Sequence, residues 1–176
     1  YSKDMFDSVD SSFAPLIFVG KHDTDHKVSS SFREAWNESN GFGVNTIKLY
    51  LSEIVKLIKT NINTNNIGLR RTLGITVTSI IQNLGKSVDA FSNCLLDLYS
   101  ILLSSLVGRS YDGKETLLNS LVLLSINSAA FLNSYSELHE RVAKCVLKEA
   151  SRQNVGYRKY SAVSYTHLTL PTILLV

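Results

Sequence analysis

The residues with the most obvious potential for chemistry lie together in His22-Asp23-Thr24-Asp25-His26, a run of two imidazoles and two carboxylates. Zinc binds such groups, but metal sites in folded domains follow recurring spacings and usually take a ligand from a second element. The spacing in this run matches no zinc pattern. We therefore predict a solvated polar loop from His22 to Ser30 and no metal ligands.

Motifs of nucleophilic, phosphate-binding and metalloprotease chemistry are missing from the sequence. It contains no Gly-x-Ser-x-Gly elbow, no phosphate-cradling Gly-rich loop and no His-Glu-x-x-His helix. His139 and Glu140 are neighbours on a predicted helix and therefore do not share a face. We read His139 as a rim residue, and we predict no catalytic residues, no cofactor and no enzymatic activity.

Three basic residues recur at a constant interval and are the remaining candidates for function. Arg70, Lys114 and Arg158 are separated by 44 residues each time, and each lies near the start of a predicted helix. One interpretation is a basic ladder that meets an acidic partner surface. The alternative is pairing within each repeat or simple exposure to solvent. Since cations near a helix N-terminus oppose the helix dipole, a positional role is slightly favoured.

The apolar residues show the same period, which indicates how such a ladder would be positioned. Leu51, Ile54, Leu57 and Ile58 map onto Leu95, Leu98, Ile101 and Leu102, and a third series follows another 44 residues on. A period of about 40–47 residues built from two helices is typical of HEAT or armadillo stacking. The predicted fold is all-α, a HEAT-like solenoid of antiparallel helical hairpins. Solenoids of this kind usually bind rather than catalyse.

The sequence predicts three segments. Residues 1–40 form an irregular segment with short helices, one ending near Val19 and one from Ser31 to about Glu38. Residues 41–162 form the repeats: a helix of about 18 residues after the glycine break at 41–43, then helices over about 66–84, 89–107, 113–132 and 136–153. These pair as two hairpins, 66–107 and 113–153.

The last segment, residues 163–176, differs in character from the rest. Its run Val163 to Thr172 resembles one reading frame of a transposon-end adaptor used in DNA library preparation. We therefore predict that residues 163–176 are a non-native sequencing-adaptor tail and exclude them from the fold. The chain also opens at Tyr1 without a Met, so we expect an internal fragment whose partners include the rest of its own solenoid.

Composition limits the classes of partner. The formal net charge is +3, with fifteen Lys and Arg against ten Asp and Glu between residues 31 and 162. A nucleic-acid binder usually has a clustered basic stripe and a higher pI, so we predict no nucleic-acid partner. The longest charge-free stretches carry Asn, hydroxyl, His or Pro residues, so we predict no membrane span. Cys94 and Cys145 fall on apolar helix faces, which suits a reducing compartment.

Four blocks, in order along the chain, resemble a known family. The strongest is Leu106-Val107-Gly108-Arg109-Ser110-Tyr111-Asp112-Gly113-Lys114-Glu115-Thr116-Leu117-Leu118. It is similar to the Leu-x-Gly-Arg-x-Trp-x-Gly-Lys-Glu-x-Leu-Leu block of the proteasome adaptor and scaffold family known by the yeast name extracellular mutant twenty-nine, with Tyr111 in place of the Trp. The other blocks are 47–55, 146–150 together with 154–158, and the region around Trp36.

The resemblance covers roughly residues 13–162 and matches the C-terminal HEAT region of a far longer protein. It implies a non-enzymatic scaffold, cytoplasmic and nuclear, that binds 26S proteasome subunits and tethers the core and regulatory particles. Arg109 lies inside the strongest block and joins Arg70, Lys114 and Arg158 as a possible partner-binding residue. The alternative function is a HEAT-type nuclear transport or cargo receptor.

Overall fold

The computed structural model describes residues 13–38, 42–107 and 114–151, and within these ranges the secondary structure is helical, without strands. The helices are α1 (residues 13–20), α2 (His26–Glu38), α3 (Val44–Leu49), α4 (Leu51–Asn61), α5 (Ile67–Leu84), a 3₁₀ helix (Gly85–Ala90), α6 (Ser92–Ser105), α7 (Lys114–Asn127), α8 (Ala129–Ser134) and α9 (Ser136–Ala150). The prediction of an all-helical fold is confirmed for this part of the chain.

The second helix begins earlier than the sequence predicted. We expected a loop to Ser30, but α2 starts at His26 because the Asp25 carboxylate accepts the backbone N–H groups of Lys27 at 2.8 Å and Val28 at 3.2 Å. A side chain that satisfies these otherwise unpaired donors is an N-cap. The Asp23 carboxylate accepts the Asp25 N–H at 2.8 Å and shapes the turn before it. Both carboxylates of the candidate metal run are thus turn and cap groups.

The helix predicted after the glycine break is present in two pieces. Together α3 and α4 run from Val44 to Asn61, and Tyr50 separates them with φ −103° and ψ 17°. The hydrogen bonds continue on both sides, since the Tyr50 N–H reaches Thr46 and the Tyr50 carbonyl accepts from Ile54. The result is a local distortion that leaves Ile47, Leu51, Ile54 and Ile58 buried.

Asn66 and Gly85 set the ends of α5. The Asn66 side chain accepts the Leu69 N–H at 3.0 Å, which makes it the N-cap of this helix. The helix ends at Leu84, and Gly85 has φ +49°, the left-handed conformation that glycine adopts at low cost after a helix. The chain then continues as a 3₁₀ helix, so the predicted helix from about 89 begins as α-helix only at Ser92.

The helix α7 is buried around most of its circumference. Its buried residues include both leucines and serines, and it packs against α6, α8 and the 3₁₀ helix. At its end the chain turns at Ser128, so the single helix predicted over 113–132 is α7 followed by the short α8. The Ser128 hydroxyl donates to the Leu124 carbonyl at 2.7 Å and lies 3.0 Å from the buried Tyr99 hydroxyl. Burial raises the pKa of Tyr99.

Backbone contacts divide the chain into two compact units, one up to Ile80 and the other from Ile81, with the division inside α5. In the first unit the core includes Phe18, Trp36, Ile47, Leu51, Ile54, Val55, Ile58, Leu73 and Val77. In the second it includes Val88, Leu95, Leu98, Tyr99, Leu102, Leu118, Leu121, Leu124, Val142 and Val146. Each unit therefore has an apolar core of its own.

Several sequence-based predictions lie outside the described residues. These include the boundaries at 40 and 162, the third copy of the repeat around Arg158 and the tail 163–176. They stay predictions. Among the helices that the structure describes, none combines the length and apolar character needed to cross a bilayer.

Candidate functional site

Lys114 is the member of the basic ladder with the most constrained environment. It is the first residue of α7 and is fully buried, with 0% of its surface exposed. Its ammonium Nζ donates to Glu149 Oε1 at 3.2 Å and lies 3.1 Å from Oε2. Removing two charges from water is costly unless they pair closely. The geometry therefore favours the alternative of pairing within a repeat, and an ammonium held in this way does not reach a partner surface.

Glu149 is buried because it continues the apolar stripe of α9. The stripe consists of Leu138, Val142 and Val146 at intervals of four, and Glu149 follows three residues later on the same face. The carboxylate is therefore carried inward with the leucine and valines, where only 2% of its side chain is exposed. This pair links the first residue of α7 to the last turn of α9.

Arg70 remains the described member of the ladder with access to solvent. It lies in the first turns of α5, is half-buried, and its N–H donates to the Asn66 carbonyl at 3.0 Å. Its neighbour Arg71 is exposed. Arg70 and Lys114 belong to different compact units. A partner-binding role for Arg70 stays a prediction, because the surrounding geometry is compatible with it and does not require it.

The other two candidates, Arg109 and Arg158, lie outside the described residues. Their roles stay predictions from the repeat and from the resemblance.

His22, the first residue of the candidate metal run, belongs to an aromatic cluster. Its ring meets the Phe18 ring edge-to-face with centroids 5.3 Å apart, and Phe18 in turn contacts Trp36. The Nε2 atom is buried and has no hydrogen-bond partner in the described structure. Burial, with smaller effects from Lys21 and Arg33, lowers the pKa of His22 to about 4. A neutral imidazole is therefore the form that this cluster holds at neutral pH.

Lys21, which is half-buried, completes the same cluster. Its ammonium lies 4.6 Å from the centroid of Phe18 and 4.4 Å from that of Trp36, within the range of cation–π attraction. Burial, and then the charge of Arg33, lowers the pKa of Lys21. The Arg33 side chain donates to the Lys21 carbonyl at 3.1 Å and ties α2 to this turn. Within the described residues, no group of three or more His, Cys, Asp and Glu side chains could hold a metal ion.

Glu149, the partner of Lys114, was not among the residues predicted from the sequence. The signal was available, because a carboxylate at the spacing of a buried stripe needs a cation. Lys114 begins the predicted hairpin 113–153 and Glu149 lies near its end, so antiparallel helices would bring the two residues to the same open end. The cation–π contact of Lys21 carried no such signal, since it depends on a turn between α1 and α2 whose shape is set by three-dimensional packing.

Curated relatives from distant organisms match almost the whole chain. It is 31% identical over 159 residues to "Proteasome component ECM29" of Saccharomyces cerevisiae. The matched region covers 90% of this chain and 8% of the relative. It is 26% identical over 168 residues to "Proteasome component ecm29" of Schizosaccharomyces pombe, and the matched region covers 96% of this chain and 10% of that relative. It is 25% identical over 167 residues to the human "Proteasome adapter and scaffold protein ECM29", and the matched region covers 90% of this chain and 9% of that relative.

The chain thus spans about a tenth or less of the length of the curated relatives that it matches. No protein-family model matches it, and no solved structure matches it.

Proposed function

This chain belongs to the ECM29 family, and from that membership we propose that it forms part of a scaffold that binds the 26S proteasome. The observation that carries the proposal is the match to relatives named as proteasome components or adapters over 90–96% of this chain. A scaffold of this kind would hold the core and regulatory particles together. Its place of action would be the cytoplasm and the nucleus, where proteasomes work.

The role we propose is non-enzymatic. The names of the relatives describe components, adapters and scaffolds. Among the described residues, the titratable groups in unusual environments make structural contacts: Lys114 pairs with Glu149, Lys21 and His22 pack against aromatic rings, and the Tyr99 hydroxyl lies against that of Ser128. None of these contacts places an activated nucleophile next to a base, the arrangement that covalent catalysis needs.

The architecture we propose is a stack of antiparallel helical hairpins with a repeat of 44 residues. Support comes from the second unit, where the Lys114–Glu149 pair joins the start of α7 to the end of α9. In the proposed hairpin, two helices linked in this way would run in opposite directions. The short α8, which contacts both α7 and α9, would form the turn of the hairpin.

A binding assay tests the proposal directly. The 176-residue chain is immobilised, and purified 26S proteasome, isolated core particle and isolated regulatory particle are passed over it in separate runs. We expect saturable binding of the 26S proteasome and of at least one of the two isolated particles. Absence of binding to all three preparations would contradict a proteasome contact within this chain.

Two neighbouring arginines allow a matched test of the candidate residue. Replacement R70Q should weaken binding about twofold to fivefold, the range expected for the loss of one exposed ion pair. The control R71Q removes the same charge from the same helix, one position further on, and should leave binding unchanged. Equal effects of the two replacements would show that Arg70 has no particular role.

A further inference from the structure

The apolar surface of α7 does not by itself determine the setting of this helix, that is, its rotation about its axis and its position along that axis. Leucine recurs at Leu117, Leu121 and Leu124, and the helix is buried on most of its sides. Advancing α7 by one turn, about 5.4 Å, or rotating it about its axis would place one leucine where another had been. Apolar contacts of similar size tolerate such exchanges well. The leucines alone therefore support several settings of α7.

The apolar stripe of α9 has the same property. Leu138, Val142 and Val146 follow each other at intervals of four residues, so a shift of one turn again puts an aliphatic residue on an aliphatic residue. The regularity ends at Glu149, which occupies the next place in the stripe and is 1% exposed. Buried charge is the feature that distinguishes one turn of this helix from the others.

Only one setting of α7 satisfies both buried charges. The other charged residues described on the two helices lie at least partly in solvent: Glu115, Glu137, Glu140, Arg141, Lys144 and Lys148. A turned or shifted α7 would therefore separate Lys114 from Glu149 and leave both without a buried partner of opposite charge on these helices. An unpaired buried charge is far more costly than a suboptimal leucine contact.

We propose that the Lys114–Glu149 pair is a register lock, which selects one rotation and one axial position of α7 relative to α9. Its contribution is to specificity, and its net contribution to the free energy of unfolding is small. Buried ion pairs can often be replaced by apolar residues of similar volume without loss of stability, so stability alone does not account for keeping one. A buried polar group that selects one alignment of apolar helices is the best-attested use of such groups. The lock does not rest on the proposed proteasome contact.

The test measures alignment and stability separately in the 176-residue chain. Cys94 and Cys145 are replaced by Ala, and spin labels are attached at I126C on α7 and K148C on α9, two exposed positions. Electron–electron double resonance then gives the distribution of distances between the labels. Urea unfolding followed by circular dichroism gives the stability of the same proteins. The variants are K114M/E149L, which keeps the volume and removes both charges, and K114E/E149K, which exchanges them.

For the parent chain we expect one narrow distance distribution. K114M/E149L should unfold at a similar urea concentration but show a broadened or second distance, and K114E/E149K should restore the single distance. As a control, E140Q/K144Q removes the exposed pair of the same helix, whose Nζ–Oε1 distance is 2.6 Å, and should keep the narrow distribution. The lock would be overturned by a narrow, unshifted distance in K114M/E149L, by failure of that variant to fold, or by a broad distance in K114E/E149K.

Discussion

At the scale of single residues, the aromatic cluster between α1 and α2 decides how His22 responds to acid. The unfolded imidazole takes up a proton near its ordinary pKa of 6.5, whereas the folded one does so only near pH 4. Between these values the unfolded state binds more protons, and stability must fall as the pH falls. Well above pH 6.5 both states are neutral at this residue, and the effect is absent.

We predict that the replacement H22F removes part of this acid sensitivity. Phenylalanine keeps a ring against Phe18 and has no proton to gain. Urea unfolding midpoints measured by circular dichroism between pH 4 and 7 should therefore fall less steeply for H22F than for the parent chain. The control H139F, at the half-exposed histidine of α9, should keep the parent slope. Parallel pH profiles for H22F and the parent chain would show that His22 makes no such contribution.

Gly20 is required by a close approach between α1 and α2. A Cβ atom at this position would lie 2.5–2.7 Å from three carbons of the Phe32 ring, closer than real side-chain contacts allow. We predict that G20A lowers the free energy of unfolding by about 1–3 kcal/mol, as overpacking usually does. Urea denaturation measures the change, and G43A, whose Cβ would meet nothing within 4 Å, is the control.

Replacement of Phe32 tests whether its ring is the cause of the cost of G20A. In a double-mutant cycle, F32A should reduce or abolish the cost of G20A, because the clashing ring is gone. If G20A costs the same with and without the ring, the close approach is not the reason for glycine at this position.

At the scale of elements, side-chain caps define where helices begin. Asn66 caps α5 through its side-chain oxygen, and the loss of such a cap typically costs about 1 kcal/mol. We predict a loss of this size for N66A and a smaller one for N66D, which retains an acceptor. The exposed Asn65 provides the control N65A, expected to be nearly neutral. Thermal unfolding is the measurement, and equal effects at the two positions would contradict the capping role.

Helix positions followed from the apolar periodicity, whereas the interruptions did not. The stretch Val44–Asn61 has the predicted length of about 18 residues, yet Tyr50 divides it without any proline or glycine. Likewise α7 ends before Ser128, whose hydroxyl bonds to Leu124 and Tyr99. The break at Ser128 involves Tyr99, which is 29 residues distant in sequence, and a periodic pattern contains no information on such contacts. Asp25 was different, since a carboxylate before a helical run is a recognised start signal that the loop interpretation overlooked.

The candidate site, like the helices, could be predicted from the sequence only in part. Spacing alone picked out Lys114, but spacing could not distinguish an exposed cation from a buried one, because burial at a helix start depends on the helix that covers it. The carboxylate on the apolar stripe of α9 would have made that distinction. Arg70 shares the spacing of Lys114, but the position 35 residues after it is Ser105, where Glu149 follows Lys114. The two members of the ladder are therefore not equivalent.

At the scale of the whole molecule, a modest positive charge accompanies the proposed binding role. The chain carries +3 overall, and the positive excess lies between residues 31 and 162. Exposed charges act over about 8 Å at physiological salt and over longer distances when salt is dilute. Such a distribution favours an acidic partner surface and mainly affects the rate of association.

We predict that binding of the 26S proteasome weakens as the salt concentration is raised from 50 to 300 mM, mainly through slower association. Surface plasmon resonance separates the association and dissociation rates. The variant R70Q should show a shallower dependence on salt than R71Q. Binding that does not change with salt would assign the contact to apolar residues instead.

The contact of Lys21 with Trp36 has a practical consequence. Trp36 is the chain's single tryptophan, it is 7% exposed, and a cation lies over its ring. Its indole emission should therefore be blue-shifted, and it should respond when the turn between α1 and α2 opens. When tryptophan is excited selectively, away from the absorption of the eight tyrosines, this emission reports on the unit that ends at Ile80. The protein thus contains a built-in fluorophore that reports on one of its two units without any label.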